Sequence, residues 1–289
     1  MWKCGRKMTF RNLTGMYLLA AAAFGLSLSF AACAATQDEI ALNYGGRTLY
    51  VHLPSALPPK GSRALVIVLH GGLGSAERIV AQRSESGLNL DAAADKYGFV
   101  VAYLNGTPVT RMLGDGMKGW NAGECCGRSS ESNVDDVGYI RGAVRVLAER
   151  YGIEPGRVYG VGHSNGAMMA LRLMCETELL AAAMPISGAL EMEANSCPPA
   201  RGKSILAIRG ADDDNVPMAG GPGKGFSRTN FRPQEYTRRV FTESGARYTL
   251  LILPGAEHKL ETIEHALERS EGLGLAEKAA AFFGLRNSR

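Results

Sequence analysis

Tyr159-Gly160-Val161-Gly162-His163-Ser164-Asn165-Gly166-Ala167 is the stretch that decides how the chain is read. An apolar, strand-like run leads into it, and a helical pattern, Asn165 to Cys175, leads out of it. Within it Gly162, Ser164 and Gly166 form G-x-S-x-G. A strand that turns sharply into a helix needs small residues two before and two after the serine, and leaves the hydroxyl exposed. The new helix then offers the Asn165 N–H to an oxyanion. Ser164 is the candidate nucleophile. The competing reading is a dinucleotide-binding G-x-G-x-x-G opened by Gly160 and Gly162. Its third glycine would fall on Asn165, and no acid stands at a suitable point about twenty residues on.

Working outward, short apolar runs recur with helical stretches between them. Strands are predicted over Ala64 to Leu69, Phe99 to Leu104, Val158 to Val161, Ala182 to Ile186, Ile205 to Ile208 and Tyr248 to Leu253. Continuous apolar runs of this kind suit strands buried on both faces. Helices are expected from an Asp135-Asp136 cap to Arg150 (Gly142 being the weak point), over Asn165 to Cys175, over Glu235 to Ser244, and in a last segment ending near Phe283. Ile40 to Leu53 reads as a hairpin turning at Gly45-Gly46. The alternation predicts an α/β protein: one domain with a mostly parallel central sheet and helices on both faces. Two long glycine-rich segments, Gly106 to Asn133 and Val216 to Phe231, read as binding loops or lids.

A serine nucleophile needs a base, and the base an orienting acid. On this scaffold the chain order is Ser, then Asp or Glu, then His. Only His258 and His265 stand late enough. His258 follows the last strand across Pro254-Gly255-Ala256-Glu257 and is the candidate base; His265 lies in a helical pattern and reads as a solvated residue. The acid should follow the strand ending near Ile208, where Asp212-Asp213-Asp214 leave the choice open by position alone. The second oxyanion amide is expected from Gly72 or Leu73 in the His70-Gly71-Gly72 run that ends the first parallel strand, with His70 shaping that loop.

The 289 residues carry a formal charge of +4, all of it matched by Lys3, Arg6, Lys7 and Arg11 near the N-terminus. The remaining chain is neutral, which argues against a nucleic-acid partner. Those basic residues precede an apolar run from Met16 to Ala32 and an Ala32-Cys33-Ala34 cleavage pattern, so residues 1–34 read as a secretory signal. Phe30-Ala31-Ala32-Cys33 also resembles a lipobox, which would lipidate Cys33. A retained membrane anchor is the competing reading, for which the run is short. The mature protein, residues 35–289, is expected to be secreted or periplasmic, with no other membrane partner. Export makes Cys125, Cys126, Cys175 and Cys197 disulfide candidates. A bridge between neighbours is geometrically strained, so Cys125 and Cys126 are expected to pair with Cys175 and Cys197. Zinc is disfavoured, because the cysteines lack C-x2-C spacing and paired histidines.

Together these residues resemble the α/β-hydrolase superfamily. More narrowly they resemble the secreted esterases that include polyhydroxybutyrate depolymerases, feruloyl esterases and acetylxylan esterases. The resemblance lies in HGGLGSAE (70–77), WNAGECCG (120–127), VDDVGYI (134–140), GHSNGAMMA (162–170) and DDDNVP (212–217). The family's D-x-x-V-P segment implies that Asp213 is the acid rather than Asp212 or Asp214. Two departures stand out: Arg209-Gly210 occupies a place where members often carry His-Gly, and Lys259-Leu260 follows His258 where many carry a Trp.

The resemblance implies an exported serine carboxylic-ester hydrolase working through an acyl-enzyme, with neither metal nor organic cofactor. Its partner would be a small, oligomeric or polymeric ester. Trp120 and His163 are the candidate substrate contacts, Trp120 reading equally well as core packing. Acetylxylan or other short-ester hydrolysis is the nearest alternative. A serine peptidase, or an inactive binding protein on the same scaffold, lies further away, because Ser164, Asp213 and His258 are all present. The ester itself and the oligomeric state stay open.

Overall fold

The computed structural model of the protein describes residues 40–83, 85–109, 116–224 and 229–287, and these cluster as one compact unit. The leader read over residues 1–34, with its cleavage pattern and Cys33, lies outside the described residues. The strands are β1 (Ile40–Tyr44), β2 (Arg47–His52), β3 (Arg63–Leu69), β4 (Val100–Leu104), β5 (Thr107–Pro108), β6 (Lys118–Gly119), β7 (Ile153–His163), β8 (Ala182–Ile186), β9 (Ser204–Gly210), β10 (Gly221–Pro222), β11 (Asn230–Phe231) and β12 (Arg247–Leu253). The helices are α1 (Ala76–Val80), α2 (Asp91–Tyr97), α3 (Gly127–Glu131), α4 (Asp136–Tyr151), α5 (Asn165–Glu176), α6 (Gln234–Glu243), α7 (Leu260–Glu271) and α8 (Leu275–Phe282).

The main sheet runs β1-β2-β4-β3-β7-β8-β9-β12. The hairpin β1–β2 joins β4 antiparallel, and every pairing from β4 to β12 is parallel. Alternation along β3 shows why the sheet is covered twice. Leu65, Ile67 and Leu69 enter one core with α4, α5 and α6, whereas Ala64, Val66 and Val68 enter the other with α1, α2, α7 and α8. A run without polar residues can satisfy both faces only in this arrangement. Among the described residues no helix is long and apolar enough to cross a membrane.

Helix α4 starts where Asp135 accepts a hydrogen bond from Gly138 N–H at 2.7 Å, which satisfies one of the free amides of its first turn. Gly142, the weak point of its pattern, has a packing reason: a Cβ there would strike the Tyr44 hydroxyl arriving from β1. The short helices α1, α2 and α3 were not expected from the sequence; five to seven residues are too few for a 3.6-residue period to register. The segment Gly106 to Asn133 is correspondingly less irregular than expected, since it contains the β5–β6 pair and α3.

The register brings the loops together at one edge. Leu69 pairs with Gly162, so the turn after β3 lies beside the turn after β7. Leu253 pairs with Gly210, which sets the β12 and β9 loops side by side. In an open parallel sheet this carboxyl edge is where ligand sites form.

The cysteine expectation is corrected. Cys175 bridges Cys197, and Cys125 bridges its neighbour Cys126. The end of α5 packs against the turn before β9, placing the Cys175 and Cys197 Cα atoms 4.3 Å apart. That leaves Cys125 and Cys126 to each other.

Candidate active site

Ser164 sits at the tip of the β7–α5 turn with φ 54° and ψ −120°. A non-glycine residue in this region costs on the order of 1–3 kcal/mol, and the surroundings hold it there. Ser164 N–H donates to the Ile186 carbonyl at 2.8 Å, and Met168 N–H closes α5 onto the Ser164 carbonyl at 3.0 Å. The flanking glycines are required by contact: a Cβ on Gly162 would meet the Gly166 carbonyl, and one on Gly166 the carbonyls of Leu69 and His70.

His258 Nε2 lies 2.9 Å from Ser164 Oγ. The other ring nitrogen, Nδ1, lies 3.0 and 2.9 Å from the two carboxylate oxygens of Asp213. Of the three consecutive aspartates only Asp213 is buried; Asp214 points outward to Lys224 at 3.1 Å. Asp213 also accepts from the amides of Asn215 (3.1 Å) and Val216 (2.9 Å). Burial pushes its carboxyl up, but the hydrogen bond and charge of His258, the Val216 amide and the Arg209 cation outweigh it, and the group sits below the usual aspartate value. Burial also dominates at His258 and, helped by His163 and Arg209, lowers its pKa despite the Asp213 hydrogen bond. The resting pair is therefore a carboxylate beside a neutral imidazole whose Nε2 faces the serine. His265 is exposed on α7 and takes no part.

The two expected oxyanion loops meet at Ser164, with one correction. Asn165 is the first residue of α5, so its N–H has no intrahelical acceptor. Gly72 N–H has no acceptor among the described residues and lines the same cleft. Leu73, the alternative donor, is excluded: its N–H is spent on the Lys118 carbonyl at 2.9 Å. That bond and the return bond from Lys118 N–H to Gly74 O (3.0 Å) fasten the turn to β6 and hold the Gly72 amide in place.

His70 behaves as the loop residue the sequence suggested. Gly106 N–H can only donate, so His70 Nε2, 3.1 Å away, accepts. Nδ1 then carries the proton and donates to the Gly71 carbonyl at 2.8 Å. Burial keeps the ring neutral by lowering its pKa.

Trp120 is corrected from a pocket residue to a core residue. It is 0% exposed, its ring lies 5.0 Å from that of His70, and its Nε1–H donates to the His70 carbonyl at 3.0 Å. Its backbone is held by the Asn165 side chain, which accepts from Trp120 N–H (2.7 Å) and donates to its carbonyl (3.1 Å). The tryptophan therefore supports both oxyanion loops from beneath. His163 does line the cleft, yet both its ring nitrogens are engaged. Nδ1 meets Glu85 Oε1 at 2.9 Å and Nε2 meets the His258 carbonyl at 2.9 Å.

Glu85 is a site residue that sequence reasoning missed. Its Oε1 also accepts from Gly71 N–H at 2.8 Å, so one carboxylate ties the oxyanion loop to His163. Burial raises its pKa, but the His163 hydrogen bond and charge bring it net below the ordinary glutamate value. Nothing near Glu85 in the sequence signals this.

Ser164 opens into a cleft of about 720 Å³. Leu73, Val109, Met168, Val216 and Phe231 give it apolar walls, and the segments expected to act as binding loops border it. No group of three His, Cys, Asp or Glu side chains arranged to hold a metal occurs among the described residues.

The fold is that of the α/β hydrolases. A thermophilic esterase from the Planctomycetes species Thermogutta terrifontis superposes with a TM-score of 0.55 at 15% identity, over 86% of this chain and 92% of that one. By sequence the chain is similar to two enzymes in particular. One is feruloyl esterase B of Piromyces equi (32% identity over 179 residues, 61% of this chain and 31% of the relative). The other is the poly(3-hydroxybutyrate) depolymerase of Ralstonia pickettii (30% over 139 residues, 46% and 27%). The matched region spans less than a third of either relative's length. No family model matches the chain.

Proposed function

We propose that the protein is a serine carboxylic-ester hydrolase that works through an acyl-enzyme. The observation that carries this reading is the continuous contact Ser164 Oγ–His258 Nε2, His258 Nδ1–Asp213, with two uncommitted amides beside the serine. In the first half-reaction His258 takes the Ser164 proton as Oγ attacks the ester carbonyl. Asp213 keeps the ring in the Nδ1–H tautomer and stabilises the imidazolium. The amides of Asn165 and Gly72 receive the charge that develops on the carbonyl oxygen. His258 then protonates the departing alcohol. In the second half-reaction it activates the water that releases the acid and restores Ser164.

The apolar walls of the cleft suit an ester with a hydrocarbon or aromatic part. Similarity to a feruloyl esterase and a hydroxybutyrate depolymerase supports hydroxycinnamate or short hydroxyalkanoate esters, with acetyl esters next. The position after His258 favours small or soluble substrates: Lys259 is exposed and Leu260 turns into the core, so no aromatic side chain stands there. Export through the leader, with lipidation at Cys33 as the variant form, is part of the same proposal and is supported by the two disulfides.

The test uses mature wild type and Ser164→Ala on methyl ferulate, an acetylated xylooligosaccharide and a 3-hydroxybutyrate oligomer. Ser164-dependent acid release from at least one is expected. Silence on all three, or release that survives the substitution, would overturn the reading.

A further inference from the structure

Arg209 is the departure from the family pattern that the site has not yet explained. It lies on β9, four residues before the acid, and is 0% exposed. Removing a guanidinium from water is costly unless close partners replace the solvent, and this one is incompletely compensated. Nη1 donates to Gln234 Oε1 at 2.7 Å, and Nη2 donates to the Val216 carbonyl. Nε is buried without a partner. The nearest carboxylate oxygen, Asp213 Oδ2, is 3.6 Å from Nη2. An arginine kept only for stability would be expected to make a closer ion pair.

What Arg209 does touch is the turn that presents the acid. Val216 N–H donates to Asp213 Oδ1 and Val216 C=O accepts from Arg209, so the residue closing the turn is gripped at both ends. Gln234 is itself oriented, because its Nε2 donates to the Tyr248 hydroxyl at 2.5 Å. The cation thus stands 3.6 Å from Asp213 Oδ2, the carboxylate oxygen that His258 Nδ1 meets at 2.9 Å.

We infer that Arg209 is a positioning residue of the acid–base pair: it clamps the Asp213–Val216 turn and holds a buried positive charge 3.6 Å from the carboxylate that faces His258. The inference rests on the proposed hydrolase reading. The other ionisable groups around the pair are Asp213 itself, His163 with Glu85 behind it, and, on the far side of Arg209, Tyr248 and Glu191. Of the groups acting on His258, Asp213 raises its basicity while His163 and Arg209 lower it. Removing Arg209 therefore shifts the balance in one direction.

The experiment is the pH profile of kcat/KM from pH 5 to 9 on a soluble p-nitrophenyl ester, for wild type, Arg209→Met and Arg209→Lys. Ser164→Ala serves as background, and thermal unfolding checks each variant. For Arg209→Met the acid limb is expected to move up by about one pH unit. Its loss relative to the plateau then grows toward tenfold as the pH falls well below both midpoints. Arg209→Lys keeps the charge but not the fork, so it should hold the wild-type midpoint while its plateau kcat/KM falls. A profile for Arg209→Met parallel to wild type overturns the charge role, and an undiminished plateau for Arg209→Lys overturns the clamp. If Arg209→Met fails to fold, Arg209→Lys decides alone: a displaced midpoint or an unchanged plateau sinks the inference. Activity persisting in Ser164→Ala would instead sink the hydrolase reading.

Discussion

His163 Nε2 meets the main-chain carbonyl of His258 across 2.9 Å, so the residue before the elbow serine grips the loop that carries the base. The carbonyl can only accept, which places a proton on Nε2 of His163. Through Nδ1 and Glu85 the same ring reaches the amide of Gly71. Ser164, the His258 loop and the Gly71–Gly72 turn are thus fastened to one another through the Glu85–His163 pair.

Glu85→Gln should loosen all three at once. A misplacement of about 1 Å in reacting groups can cost on the order of 100-fold in rate, so kcat is expected to fall roughly 10- to 100-fold with KM changed far less. Steady-state kinetics on the best ester of the panel checks this. Unchanged kcat would show that the pair is dispensable.

The same carboxylate has a stability signature. The folded-state pKa of Glu85 is depressed, so its contribution is present above the unfolded value, about 4.3, and is lost as pH falls through the folded value. Wild type should therefore lose more melting temperature than Glu85→Gln between pH 5 and pH 3. Parallel losses would contradict the linkage.

Glu191 runs the opposite way. It is 1% exposed and burial raises its pKa to about 7, so the folded state favours the protonated form. Stability from this group is complete below about pH 4.3 and is lost as pH rises through about 7. Glu191→Gln should raise the melting temperature at pH 8 and leave it nearly unchanged at pH 4. A variant equally destabilised at both would mean that its paired contacts with the Arg232 amide outweigh the ionisation cost.

The Cys175–Cys197 bridge closes a separation of 22 residues, a loop for which chain entropy gives about 3 kcal/mol. The double change Cys175→Ala with Cys197→Ala should lower stability by roughly that amount in urea unfolding while leaving kcat near wild type, since neither residue borders the cleft. A loss of kcat without loss of stability would contradict this placement.

How much of this was legible in the sequence follows the range of the interactions. Strands such as Ala64 to Leu69 announce themselves because burial on both faces removes polar residues locally. The strand–turn–helix around Ser164 is likewise local, and the order rule needs only to place His258 after it. The choice of Asp213 among three aspartates required the family's spacing, because burial of one and solvation of its neighbours is a tertiary matter. Glu85, separated from His163 by 78 residues, and the inward turn of Trp120 had no local signature. The Leu73 amide was indistinguishable from that of Gly72 until β6 claimed it. Arg209 was visible only as a residue out of pattern.

Covalent trapping tests Ser164 as the attacking residue most directly. Mature wild type, Ser164→Ala and His258→Ala would be treated with an organophosphonate ester, and the adduct located by peptide mass spectrometry alongside residual ester turnover. The expected result is one adduct, on the peptide carrying Ser164, formed in step with loss of turnover. It should be absent from Ser164→Ala and slowed at least about 100-fold in His258→Ala. Full turnover in a protein labelled at Ser164, or inactivation with the adduct elsewhere, would contradict Ser164 as the nucleophile.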